Sequence, residues 1–435
     1  MQDIARTIND AAGLAKAGRL AEAEGLCRRA LDLGVRHPGL LNILGAVLAQ
    51  QGRPHEAVGY LREAASIARS ASVLVNLGEA LRRLGEHEEA ARNLEEATRL
   101  APENAMAWAN LALTYLHLGQ SPQAMNACGR AIQIAPNYAS AHASMGLIHE
   151  NMGHIAQAIA CFRQAAQLDP RSVVALSALG RLLTQTGRPA EGRRFHNMAM
   201  QADPANPAVH SCFLFDQLFD PDQNIPALVQ EHRRWAQVHA EKNFQPRAFR
   251  INLAADHVLR LGFVSPDLRE HPVARFLLPV LRELDRGRVR TLAYDQQVRP
   301  DDFTRRLRER FDEWHPINRL DDAALEEQVR EDQVDILFDL AGHTSNNRLC
   351  AFARRLAPVQ VHWLGYPFTT GLTAMDLRIT DPVADPPGLT EAFHSEQLLR
   401  LPDSFLVFEP AADMPPAEAC PSGENGPLTF GVACA

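Results

Sequence analysis

From Val75 onward the apolar positions fall on a helical period, and the whole pattern then recurs. VNLGEALRRLGEHEEAARNLEEATRLAPEN, ANLALTYLHLGQSPQAMNACGRAIQIAPNY and ASMGLIHENMGHIAQAIACFRQAAQLDPRS begin at Val75, Ala109 and Ala143, each 34 residues after the last. Leu77, Leu111, Met145 and Leu179 recur at that step, with Gly85, Gly119, Gly153 and Gly187. So do Ala97, Ala131, Ala165 and Ala199, then Pro102, Pro136, Pro170 and Pro204. The Leu or Met faces a partner helix, and the Gly permits a tight turn between helices. The Ala lets helices approach closely, and the Pro ends the second helix because its ring cannot continue the hydrogen-bond ladder. Weaker copies surround Leu44, Gly45, Gly52, Ala57 and Ala64, and before them Gly18, Ala23 and Ala30, giving about six units that end near Asn206. A generic helical bundle would show apolar helical spacing without this fixed step.

Four slots repeating in register resemble the tetratricopeptide repeat. The expectation over residues 1–206 is therefore an α-solenoid, a superhelix with a concave groove. Asn76 and Asn110 occupy one slot on the first helix of their repeats, followed by Ser144 and Ala178 in the next two. An asparagine offers both a donor and an acceptor, so a short ladder could hold the backbone of an extended peptide in the groove. Two solvated asparagines are the alternative. Trp108, Tyr115, His142 and Phe162 fall on large-residue slots and read as packing.

After Pro207 the period breaks. HSCFLFDQLF and IPALVQEHRRWAQVHAEKN read as two amphipathic helices around the turn DPDQN, a helical joint over 207–256 that carries too many large apolar residues to stay disordered. His210, His232 and His239 lie here and read as surface or packing residues. From Val258 short apolar runs alternate with helical patterns: VLRLGFV, RTLAYD, VDILFDLAG, VQVHWLG and LRIT, with helices expected over 273–284, 302–311, 321–331 and 346–356. Such alternation predicts a Rossmann-like α/β lobe over 257–410 with a mostly parallel sheet. Ligands in such sheets bind beyond the carboxyl ends of the strands. There the chain places SPDLREHP, then DLAGHT and LGYPFTTG.

Composition narrows the function classes. A chain of 435 residues is long for one core. No run of 18 apolar residues is present, and the N-terminus lacks the basic and apolar regions of a secretory signal, so a cytoplasmic location without a membrane partner is expected. Seven scattered cysteines without metal spacing read as free thiols, and a net charge of −8 without a basic stripe argues against nucleic acid.

Asp267 and His271 lie four residues apart, with Pro272 opening a helix whose positive end suits an anion or a general base. A helix cap explains the same His-Pro pair equally well. No GxGxxG, Walker loop or GxSxG elbow is present, and His271, His343 and His362 match no metal-ligand spacing.

VLRLGFVSPDLREHPVARFL, DILFDLAGHTSNNRLCAFARRLAPVQVHWLGYP and MDLRITDPVADP resemble the first catalytic lobe of the protein O-linked N-acetylglucosamine transferase and SPINDLY family. That resemblance implies the N-terminal half of a two-lobed GT-B glycosyltransferase behind the repeats. It implies an inverting, metal-independent transfer of N-acetylglucosamine from its uridine diphosphate donor to Ser or Thr hydroxyls, with protein or peptide substrates in the repeat groove. Fucose stays open as the sugar. Asp267 and His271 match the family's cleft residues, and Leu364 and Gly365 match the pair that touches the sugar. Pro272, Val273 and Tyr366 join the implied substrate contacts, although Val273 stands where the family often has Thr, and Phe368 replaces a usual Gly. After the Pro-rich stretch that opens segment 411–435, PLTFG resembles the first strand of the family's second lobe, and the sequence stops at VACA. The expectation is a chain lacking that lobe and so catalytically incomplete. The alternative is a non-catalytic repeat scaffold with a degenerate lobe.

Overall fold

The structure, a computed structural model, describes residues 2–242, 249, 254, 256–297 and 300–409. Six antiparallel helix pairs come first: α1 (Gln2–Lys16) with α2 (Leu20–Asp32), α3 (Pro38–Gln50) with α4 (Pro54–Ile67), α5 (Ala71–Arg83) with α6 (His87–Leu100), α7 (Ala105–His117) with α8 (Ser121–Ile134), α9 (Ala139–Asn151) with α10 (Ile155–Leu168), and α11 (Val173–Gln185) with α12 (Pro189–Ala202). The turn glycines expected from the sequence, Gly52, Gly85, Gly119, Gly153 and Gly187, all have positive φ, between 73° and 79°, where a Cβ would be strained.

In four of the six pairs a glycine on the first helix receives a larger side chain from the second. Leu61 packs over Gly45, Leu94 over Gly78, Phe162 over Gly146 and His196 over Gly180, where an added Cβ would lie 2.4–2.7 Å from the incoming side chain. This contact sets how closely paired helices approach, and stacking of the pairs buries their remaining apolar faces.

Two further helices form the joint, α13 (Pro207–Gln217) and α14 (Ile225–Trp235), the latter running into a π-helical turn at Ala236–Ala240. The lobe is one parallel sheet of β1 (Leu259–Ser265), β2 (Val289–Asp295), β3 (Glu313–Pro316), β4 (Ile336–Asp339), β5 (Val359–His362), β6 (Leu377–Thr380) and β7 (Gln397–Arg400), in the order β3-β2-β1-β4-β5-β6-β7. The chain leaves β1 through α15 (Pro272–Glu283) to β2, passes α16 (Asp302–Arg308) to β3, and returns through α17 (Asp322–Glu331) to β4 on the other side of β1. The strand order therefore reverses between β1 and β4, which opens a crevice beyond their carboxyl ends.

Two details depart from expectation. The helix expected over 346–356 is only α18 (Leu349–Phe352), because Asn346 and Arg355 on either side take left-handed φ of 59° and 60°. The strands β3 and β7, EWHP and QLLR, lack a long apolar run and were not expected; they are the sheet's two edges, where one pairing partner suffices. The segment 410–435 lies outside the described residues. Among those described, no helix is long and apolar enough to cross a membrane.

Gly78→Ala should destabilise the repeats by about 1–3 kcal/mol through overpacking against Leu94. Adding Leu94→Ala should then cost less than the two single losses summed, because the new methyl occupies the vacated space. Chemical denaturation of the four chains checks this, and simple additivity would contradict the contact.

Candidate functional site

The SPDLREHP segment leaves β1 at its carboxyl end. Ser265 Oγ accepts the Asp267 amide at 3.0 Å, and the Asp301 carboxylate, which caps α16, accepts the Glu270 amide at 2.8 Å. These bonds turn the loop so that Asp267 and His271 face outward together, their side chains 15% and 34% exposed. His271 is the N-cap of α15, and its Nδ1 accepts the Val273 amide at 3.3 Å. In the neutral ring Nε2 then carries the proton, and it lies 3.9 Å from Asp267 Oδ1, with the Arg269 guanidinium 3.6 Å from the same oxygen. The capping role and the site role expected for His271 are held by different ring nitrogens.

The loops after β4 and β5 are locked together. His362 Nδ1 donates to Asp339 at 2.8 Å, and the other Asp339 bonds take the Ala341 and Gly342 amides. A Cβ on Gly365 would lie 1.8 Å from the Leu340 carbonyl oxygen, and Leu364 beside it has φ of 71°. Arg378 donates to the carbonyls of Tyr366 and Phe368, at 3.0 and 2.9 Å, and Glu396 accepts the Thr370 amide at 2.7 Å. No other residue type fits this approach at Gly365, because backbone already fills the space.

The same loops hold the joint. His232 Nδ1 donates to the Leu228 carbonyl, leaving Nε2 to accept the Tyr366 hydroxyl at 2.8 Å. His343 Nε2 donates to the Thr370 carbonyl at 2.9 Å, and its Nδ1 accepts the Ser211 hydroxyl at 3.0 Å. Burial lowers the proton affinity of both rings: His232 falls to about 4, and His343 well below the usual imidazole range. Burial likewise pushes Asp295, at the end of β2, up to about 6.

Between the repeats, the joint and the lobe lies a cavity of ≈ 890 Å³. Arg82, Arg83, His87, His117 and Arg181 line it from the repeats, Ser211, Cys212 and Phe215 from the joint, and Asp267, Arg269, His271, Gln296, Gln297 and the segment His343 to Asn347 from the lobe. Gln296 Oε1 is buried without a hydrogen-bond partner among the described residues, and the Gln297 side chain lies beside the Asp295 carboxyl. Four arginines and one aspartate give the wall a positive bias in a chain of net charge −8, although Glu79 pairs with Arg82 and Arg83, and Glu150 with Arg181. Such a wall suits a polar or anionic ligand.

Of the residues expected at the site, Asp267 and His271 are on this wall and the others are not. Val273 is buried in the core behind α15, Pro272 is exposed at the helix start, and Tyr366, 1% exposed, turns inward to the joint. Leu364 and Gly365 are partly buried in the locked loop. Asn76 and Asn110 are partly buried on α5 and α7, away from the cavity wall, and Asn76 Nδ2 donates to Asn42 Oδ1 at 2.9 Å. Asn42 escaped the sequence reading because Gly52 and Gly85 are 33 apart, which puts Ile43 in its slot. The repeat-side arginines and Ser211 carried no signal, since only the packing of repeats against lobe makes them neighbours of Asp267. The rejected trio of His271, His343 and His362 stays dispersed, with His343 and His362 committed to buried hydrogen bonds.

Residues 235–415 match Glycosyl transferase family 41, and 39–103, 75–139 and 152–211 match tetratricopeptide repeat families. The "Probable UDP-N-acetylglucosamine--peptide N-acetylglucosaminyltransferase SPINDLY" of Oryza sativa subsp. japonica is 40% identical over 208 residues, 47% of this chain and 22% of that protein. The "UDP-N-acetylglucosamine--peptide N-acetylglucosaminyltransferase" of Caenorhabditis elegans is 33% identical over 162 residues, 37% of this chain and 14% of its own length. A solved mutant O-GlcNAc transferase of Thermobaculum terrenum superposes with a TM-score of 0.67 at 34% identity, covering 72% of this chain and 61% of that one. The chain thus spans about a fifth of the length of the SPINDLY relative.

Since the buried His232 and His343 hold their protons less tightly than in an unfolded chain, stability is fully present above pH ~6.5 and is lost as pH falls toward 4. For His232 alone the loss is on the order of 3 kcal/mol. Thermal melts between pH 7.5 and 4 should show it, and His232→Gln, which cannot titrate, should flatten the slope. An unchanged slope would place the acid sensitivity elsewhere.

Proposed function

We propose that this chain is a member of glycosyl transferase family 41, with tetratricopeptide repeats ahead of its α/β lobe, and that it acts in the transfer of N-acetylglucosamine from a uridine diphosphate donor to Ser or Thr hydroxyls of proteins. The observation that carries this reading is the cavity itself, where the repeats meet the carboxyl edge of the sheet with Asp267 and His271 on its wall. The printed names of the curated relatives supply the donor and the peptide acceptor.

In this reading an extended acceptor segment lies along the groove, with Asn42, Asn76 and Asn110 offering amides to its backbone, and reaches the crevice beyond β1. The acceptor oxygen bonds to the anomeric carbon as the bond to the diphosphate breaks, and its proton must leave. Asp267 offers the free oxygen to receive it, because His271 Nδ1 is occupied by the Val273 amide and Nε2 faces outward as a donor. His271 then orients the reacting groups, with the Arg269 guanidinium beside Asp267. The Leu364–Gly365 turn, packed against the Leu340 carbonyl, presents backbone to the sugar. The chemistry as drawn needs no metal ion.

The test is transfer of radiolabelled N-acetylglucosamine by the full protein to a Ser/Thr peptide, with guanosine diphosphate fucose as the competing donor. His271→Ala should lower the rate by on the order of 10² or more, while the melting curve shifts by no more than ~2 kcal/mol, the range of a lost helix cap. Asp267→Ala should do the same. Groove binding of the peptide without transfer from either donor would favour a scaffold, and near-normal turnover in both variants would remove this pair from the site.

A further inference from the structure

The last repeat breaks its own packing rule. In the slot where the second helix meets the first, the earlier units place apolar or thiol side chains, Cys27, Leu61, Leu94, Cys128 and Phe162, but the sixth places His196 over Gly180. From the neighbouring α13, Asp216 meets this imidazole, its Oδ2 2.7 Å from Nε2, and both side chains are 0% exposed. Each group keeps one buried polar atom, Asp216 Oδ1 and His196 Nδ1, without a hydrogen-bond partner among the described residues. A leucine would have filled the slot without desolvating anything, so a buried carboxylate with a vacant oxygen calls for a further ligand.

Cys212 stands one helical turn before Asp216, on the same face of α13. Its sulfur, a ring nitrogen of His196 and an Asp216 oxygen all lie within 4.8 Å of one another. We propose that His196, Cys212 and Asp216 bind one divalent metal ion of the zinc class, joining the last repeat to the helical joint. The donor set is one nitrogen, one sulfur and one oxygen, which suits a borderline ion in tetrahedral geometry with three protein ligands. Cys212 also reaches the wall of the large cavity, so the fourth position opens on that side. On binding, the thiol proton passes to solvent as the sulfur–metal bond forms, and dication, thiolate and carboxylate then sum to zero charge in a dry site. The other such trio among the described residues, Glu313, His315 and Asp332, is partly exposed and already engaged: Arg260 holds Glu313 at 2.8 Å and the Tyr294 hydroxyl bonds Asp332 at 2.7 Å.

The site spans α12 and α13, so the ion would fix the angle at which the groove meets the lobe. It stands apart from the transfer chemistry, and its test does not depend on that reading. The full chain, stripped by a chelator, is titrated with cobalt(II) and then with zinc. One cobalt per chain should produce tetrahedral visible bands and a thiolate-to-cobalt charge-transfer band, both lost when zinc displaces it, and zinc should raise the melting temperature. Cys212→Ser, close to isosteric, should abolish the charge-transfer band, and Asp216→Asn should weaken binding about 10-fold or more, with circular dichroism unchanged. A wild-type chain that shows no thiolate band overturns the proposal whatever the variants do. An unchanged band and affinity in both variants overturns it too, by placing the ion on other residues.

Discussion

The arrangement of the molecule depends on a polar seam buried between the helical joint and the α/β lobe. Tyr366 donates to His232, and Ser211 donates to His343, which itself donates to the Thr370 carbonyl. Apolar surfaces can slide over one another at small cost, whereas buried hydrogen bonds are directional and costly to leave unmade. The seam therefore fixes the orientation of the repeats against the sheet. With it come the cavity and the meeting of Arg82, Arg83 and Arg181 with Asp267 and His271. A price is attached, since both rings must stay neutral for the seam to hold.

The lobe meets the seam with loops that cannot move independently. Gly365 lies against the Leu340 carbonyl, and a Cβ on Gly371 would lie 2.4 Å from the His232 carbonyl oxygen. Arg378 and Glu396 brace the segment between them from the far side. The rigidity of the seam thus passes to the loop beyond β5, while the reversal of strand order between β1 and β4 supplies the crevice. A site of this kind is preorganised by backbone packing, and its side chains are free for chemistry.

The repeats contribute in a different way. Four of the six pairs are fixed by a large-to-small contact, and three of these four contacts are apolar. The sixth unit replaces the apolar contact with His196 and Asp216 at the point where the solenoid ends and the joint begins. A directional contact is placed where the angle of the groove matters most.

The period of glycines, alanines and prolines determined the helix pairs from the sequence alone, because each unit packs chiefly against its neighbours and a local code suffices. The alternation after Val258 likewise marked five of the seven strands, and the polarity of SPDLREHP marked the end of β1. The edge strands stayed hidden, since an edge demands little apolar pattern, and so did the early end of α18, which turns on two left-handed residues of no special type. Family likeness pointed to Val273 and Tyr366 as substrate contacts, but the fold spends both on the interior. Only tertiary packing decided that three repeat arginines, Ser211 and the paired glutamines share a cavity with Asp267 and His271. The reason is physical: periodicity records what a residue does within its own element, while the seam between distant elements leaves no periodic trace in either.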